Sequence, residues 1–343
     1  MRLVGQIYEQ AKRNAVYVIE TILGVTSEEM VALFSDDGSV PVGWAFYEAA
    51  VELGLVPVFI VFPSLERTGG EPPLAVSRAI VDTDVYIAVT SPGAKSMTHT
   101  RARREASAAG VRGLTLPGMT LELLSREAII ADYQEIAKAT TALATYLNSV
   151  QELTLLSDNG THLMFDVRGC TWFAEQGLCR ERGQFSNLPG GEVSVAPANA
   201  EGVLVVDGSL SPFGKLDNPL VMEIRDRRVV SVRGKQAKAL LEFLQPFGPD
   251  AFNVAEIGIG MNPAARLCGY VVEDEKVLGT VHVGLGDNSN MGGTTRGRVV
   301  AVGVHIDGVV VSEPILVADG SVVNPRSFFS NAIKGKMERK EVK

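Results

Sequence analysis

The sharpest chemical pattern in this sequence is His305-Ile306-Asp307. Residues i and i+2 of a strand leave the same face, so imidazole and carboxylate can converge on one point. Gly308 keeps a second reading open, because Asp-Gly is a hairpin-turn signature and Asp37-Gly38, Asp207-Gly208 and Asp319-Gly320 recur as expected turns. Glu256 stands inside Asn253-Val254-Ala255-Glu256-Ile257-Gly258-Ile259-Gly260, a run that otherwise reads as a buried strand. Acids are almost never fully buried unless paired or bound to metal; the competing reading is an edge strand with Glu256 facing water. His282 likewise interrupts an apolar strand, Thr280–Val283, and alone fits a satisfied core histidine. Glu192 follows Asn187-Leu188-Pro189-Gly190-Gly191, where small residues let the backbone approach a ligand; taken alone it reads as a solvated loop residue. His99, beside threonines near a helix start, reads as a cap or surface residue.

Taken together, Glu192, Glu256, His282, His305 and Asp307 form a mixed nitrogen and oxygen ligand group. Such a group suits Zn, Mn, Co or Fe(II), as one ion or two. It holds no thiolate, which disfavours a structural zinc site. The competing nucleophile constellation lacks its G-x-S-x-G elbow, and neither a G-x-G-x-x-G nor a G-x-x-x-x-G-K-[ST] phosphate loop occurs.

Two kinds of chain must position these residues. Up to about residue 148, short continuous apolar runs (Met30–Ser35, Val56–Phe62, Asp84–Thr90, Val111–Leu116) alternate with helical segments such as Trp44–Leu53 and His99–Ala109. That is the pattern of a parallel sheet covered on both faces. The expectation is a doubly wound, mostly parallel α/β domain over 1–148, closed by a helix at Ile130–Asn148. From 149 to 343 the texture turns to short strands, among them Gln151–Ser157, Thr161–Arg168, Val254–Ile259, Val299–His305 and Val309–Val311, with one helix at Lys235–Phe243. This half is expected to be a strand-rich α+β metal-binding catalytic domain. The tail from Lys334 is charged and expected to fray.

Composition narrows the classes. The chain has 343 residues, 46% of them hydrophobic, which matches about two domains with sizeable cores. A net charge of -8 argues against an electrostatic nucleic-acid binder. Three cysteines without C-x-x-C spacing fit a reducing compartment. The longest apolar stretch, Leu53–Pro63, falls short of a membrane span, and the start of the chain lacks the apolar core of a signal peptide. A cytoplasmic protein with no membrane or nucleic-acid partner is expected.

The order N-L-P-G-G-E, E-I-G-I-G-M-N-P, E-D-E-K-V-L-G-T-V-H-V-G-L-G-D-N, G-G and H-I-D resembles the M29 family of metallo-aminopeptidases, closely over residues 187–307 and loosely over the first half. The resemblance implies that Glu192, Glu256, His282, His305 and Asp307 match five ligands of a two-metal centre, with Glu256 as the bridging, catalytic carboxylate. It implies two divalent ions per chain (Zn, Co or Mn), water activated against the scissile carbonyl of a small peptide or amide, and a homodimer around an enclosed cavity. Ser289 stands where those aminopeptidases carry a tyrosine. The chain is closer in length to the 2,5-dihydroxypyridine 5,6-dioxygenases, relatives of this fold that use one Fe(II). In those, a histidine falls where Glu256 stands and the glutamate matching Glu192 is absent, so retention of both glutamates favours the hydrolase. The runner-up is a mononuclear Fe(II) ring-cleaving dioxygenase with His282, His305 and Asp307 as its triad. A third reading is a binding protein that kept the fold and lost turnover.

Overall fold

The computed structural model describes residues 2–64, 70–94, 96–98, 100–289 and 298–330; His99 and the tail from Lys334 lie outside them. The chain divides into two compact units: Met1–Tyr133 with Gly177–Gly190, and Gln134–Gln176 with Gly191–Lys343.

The first unit is built on a five-stranded parallel sheet. Its strands are Val31–Asp36, Val58–Phe62, Val85–Val89, Arg112–Leu116 and Phe185–Asn187, and Val58–Phe62 forms one edge beside Val31–Asp36. The strand order reverses between Val31–Asp36 and Val85–Val89, as a doubly wound sheet requires. Three of these strands are buried at every position, which explains why they read as unbroken apolar runs rather than alternating ones. The helices Val40–Glu52, Leu74–Ala79 and Arg101–Ala108 connect successive strands.

The second unit holds two seven-stranded antiparallel sheets. In one, Glu152–Leu156 and His162–Asp166 alternate between buried and more open positions, so Leu153, Leu155, Leu163 and Phe165 point into the core. The other places Glu192–Val195, Val254–Gly260, Val281–Gly286 and His305–Val310 side by side. Here Val254–Gly260 and Val281–Gly286 are buried throughout, because both faces are covered.

Three expectations change. The helix Tyr133–Leu147 packs Ala139, Leu143, Ala144 and Leu147 into the core of the second unit rather than closing the first. Its apolar stripe was legible, but a stripe does not say which sheet it covers. Residues 299–304 are irregular, and the strand begins at His305. Asp307 and Gly308 lie inside that strand, with Gly308 opposite Val283, and neither has positive φ. Asp319 and Gly320 do, at 45° and 80°, as a tight hairpin turn needs. The hairpin reading of Asp307 therefore falls.

Candidate metal centre

One face of the second sheet carries the chemistry. Antiparallel pairing sets Glu192 opposite Gly260, His282 opposite Gly258, Gly284 opposite both Glu256 and Asp307, and His305 opposite Gly286. With side chains alternating by two along each strand, the acids and imidazoles from four strands leave the same face, and glycines occupy many positions between them. Those glycines make the room. A Cβ on Gly258 would run into His282 Nε2, and one on Gly284 would sit 2.8 Å from His305 Nε2 and 2.9 Å from Asp307 Oδ1.

The five residues singled out from the sequence are brought together. Glu192 is no solvated loop residue: it opens a strand and is buried, as are Glu256 and His282. Glu256 stands on a central strand, not an edge. Its two oxygens divide between the histidines: Oε1 is 3.9 Å from His282 Nε2, and Oε2 is 3.1 Å from His305 Nε2. His282 Nε2 also lies 3.4 Å from Glu192 Oε2, and His305 Nε2 lies 3.1 Å from Asp307 Oδ1. Among the described residues, three groups have ligand atoms within 4.8 Å of one another: Glu192, Glu256 and His282; Glu256, His305 and Asp307; Glu275, His282 and Asp307.

His305 is oriented from behind. Its Nδ1 is 2.7 Å from the Asp287 carbonyl oxygen, which can only accept, so Nδ1 carries a proton and Nε2 faces the carboxylates. The Asp287 side chain in turn accepts from Ser289 N, Ser289 Oγ and Gly303 N. Ser289 is thus engaged in holding the loop that fixes His305.

Two residues were missed. Glu275 and Lys276 follow the short helix Val271–Asp274 and stand inside a motif whose order was recognised but whose roles were not. Nothing local marks them: Glu-Lys on a helix end reads as a solvated pair. Yet Lys276 is only 2% exposed, and its Nζ lies 2.6 Å from Glu192, 2.9 Å from Glu275 and 3.2 Å from Glu175. Burial works against its charge, but these carboxylates hold the ammonium pKa well above the usual lysine range.

The charge balance tests whether a metal fits. Glu192 and Glu256, both buried, and Glu275 and Asp307, both half-buried, bring four carboxylates onto one face with, among the described residues, one ammonium beside them. Buried carboxylates without compensating cations are expensive. Burial pushes the carboxyls of Glu192 and Glu275 up. Burial would do the same to Glu256 and Asp307, but the neighbouring imidazoles hold both below the usual carboxylate range. Burial should also lower the two imidazoles. Instead the acids raise His282 to about 9, and Asp307 and Glu256 raise His305 well above its ordinary value. Without metal the cluster recruits protons to balance its acids, and divalent cations on the same atoms would supply that charge. The residues present can hold a metal.

Comparison with known proteins supports this picture. The family profile described as NicX, 2,5-dihydroxypyridine 5,6-dioxygenase, matches residues 21–297. No protein of curated function matches the sequence. Among solved structures, the 2,5-dihydroxypyridine dioxygenase of Pseudomonas putida KT2440 superposes with a TM-score of 0.76 at 19% identity, covering 92% of this chain and 96% of that one. Wild-type AmpT from Thermus thermophilus superposes with a TM-score of 0.65 at 18% identity, covering 92% and 97%. No described helix is long and apolar enough to cross a membrane. The chain belongs to the 2,5-dihydroxypyridine 5,6-dioxygenase (NicX) family, as a metal-dependent enzyme that shares its fold with AmpT from Thermus thermophilus.

Proposed function

We propose that the chain is a metallohydrolase of amide bonds, aminopeptidase-like, with two divalent ions bridged by Glu256. The observation that carries this reading is the division of the Glu256 carboxylate, one oxygen towards His282 and the other towards His305. A carboxylate shared between two ions presents its oxygens in this way, whereas Glu256 has no ligand role in the mononuclear triad. Glu192 and His282 would hold one ion, and His305 and Asp307 the other, with Glu275 within reach of His282 and Asp307. Zn, Co or Mn suits these oxygen and nitrogen donors. Such ions supply Lewis-acid polarisation of a carbonyl and a lowered pKa for water. The chain's own contribution is orientation and charge. Asp287 fixes the ring of His305, and the glycines opposite the ligands keep side chains out of the space between them. The buried carboxylates favour a substrate that brings a free ammonium, as the amino end of a short peptide does.

A second reading rests on the family itself: a mononuclear Fe(II) dioxygenase that opens a dihydroxypyridine ring, with His282, His305 and Asp307 as ligands. Metal analysis of the protein purified without chelator separates the two, read beside turnover of aminoacyl-nitroanilides and of 2,5-dihydroxypyridine under air. Two divalent ions per chain with nitroanilide hydrolysis support the hydrolase. One iron with ring cleavage refutes it.

A further inference from the structure

Lys276 is a buried cation that neither reading uses. Its neighbours explain its presence. Glu175 and Glu192 are directly opposed on adjacent antiparallel strands, a placement that is destabilising for like charges. The Lys276 ammonium contacts both, and Glu275 as well. Its backbone is fixed: Asn262 N donates to Lys276 O, and Lys276 N donates to Glu273 O. The ammonium therefore cannot swing away without leaving three acids behind.

That contact is unevenly placed with respect to the metal cluster. The Glu192 oxygen 2.6 Å from Lys276 Nζ is the same Oε2 that lies 3.4 Å from His282 Nε2. An ion on the Glu192, Glu256 and His282 side must share a carboxylate with an ammonium and sit beside its positive charge. Among the described residues, neither Glu256 nor Asp307 shares an oxygen with an ammonium in this way. We propose that Lys276 makes the two halves of the centre unequal, leaving the ion beside His305 and Asp307 tight and the ion beside Glu192 and His282 weak and exchangeable. Lys276 is in this sense a positioning residue, since it acts through Glu192. The inference rests on the two-ion reading above.

Mn²⁺ alone is the probe, with free ion counted by electron paramagnetic resonance as chelator-stripped protein is titrated. Wild type should bind in two steps whose dissociation constants differ at least about tenfold, the scale expected when a unit charge a few ångströms away is only partly screened. Lys276→Met should tighten the weaker step by at least about tenfold and leave the stronger one in place, while Lys276→Arg keeps the separation. A wild type that takes one ion beside a Lys276→Met variant that takes two would support the proposal in its strongest form. If Lys276→Met does not fold without metal, Glu175→Gln serves in the opposite direction: freed of one acid, the ammonium leans on Glu192, and the weaker step should weaken further. A purely structural role for Lys276 predicts no change in that step. Two equal steps in wild type, or no tightening in a folded Lys276→Met and no weakening in Glu175→Gln, would overturn the proposal while leaving the two-ion reading intact. Saturation at one ion in wild type and Lys276→Met alike would sink both.

Discussion

Gly284→Ala is the most direct probe of the cluster, because it changes no ligand. Gly284 has no positive φ, so the backbone accepts an alanine. The added methyl would lie 2.8 Å from His305 Nε2, 2.9 Å from Asp307 Oδ1 and 2.9 Å from Glu256 Cβ. To reach ordinary contact, His305 Nε2 must retreat by roughly 0.6 Å. Metal–ligand distances tolerate only about 0.2 Å, so the displaced atoms no longer meet a common ion. The overpacking itself should cost about 1–3 kcal/mol of stability. Gly208→Ala provides the control: its Cβ would press on Val311 Cγ1 at 2.7 Å, away from the ligands, at comparable structural cost. Chemical denaturation in chelator should place the two variants close together. Calorimetric titration with Mn²⁺ should then separate them, Gly284→Ala losing about 10–100-fold in affinity, the range typical of disturbing a ligand's support, and Gly208→Ala losing none. If Gly284→Ala binds metal as tightly as Gly208→Ala, these side chains do not converge on an ion.

Asp307→Asn keeps the shape of the side chain and removes the charge that offsets a cation, so activity should fall at least about tenfold; His305→Gln should behave likewise, and in both the rise in melting temperature on adding metal should shrink. Glu192→Ala should lower the bound metal from two ions per chain towards one by elemental analysis, and a variant still holding two would remove Glu192 from the ligands. The metal-free protein should lose stability as pH rises. The folded-state pKa of His282 is raised to about 9, so its contribution is complete below about 6.5, its unfolded value, and is lost as pH climbs through about 9. Thermal melts in chelator between pH 6 and 10 should show that decline. Melts with saturating metal should not, because bound ions displace the same protons; parallel curves would refute the linkage.

The parallel sheet of the first unit was legible because both-face burial leaves uninterrupted apolar runs, and Val31–Asp36 and Val85–Val89 lie within two residues of where those runs predicted. Glu256 and His282 were legible for the opposite reason: a charge inside such a run, on Val254–Gly260 or Val281–Gly286, must be compensated by something. Glu192 could be seen only through its place in a series of motifs, since a carboxylate after two glycines fits any loop. Lys276 could not be seen at all. Its burial depends on Glu175 and Glu192, 101 and 84 residues earlier in the chain, being paired across two strands, and no local pattern encodes that. The boundary of the Tyr133–Leu147 helix was read well and its packing partner was not, because amphipathicity fixes a face and not its neighbour.

The sheet also explains why this centre should couple to folding. Its ligands come from four neighbouring strands, and each ligand atom reaches the others only when the antiparallel register is complete. A slip of one residue would turn every one of them to the opposite face. The same register forces acids together on a buried surface, where their repulsion opposes folding unless cations or protons intervene. Lys276 offsets part of that charge, and protonated His282 and His305 offset more in the absence of metal. Ions bound to the same atoms would replace those protons, and because the unfolded chain cannot assemble the ligands, their binding energy would add directly to the stability of the sheet. The site and the core of the second unit are then one cooperative structure: whatever weakens the register weakens the metal, and removing the metal should loosen these four strands before the parallel sheet of the first unit, an order that hydrogen exchange with and without chelator can read.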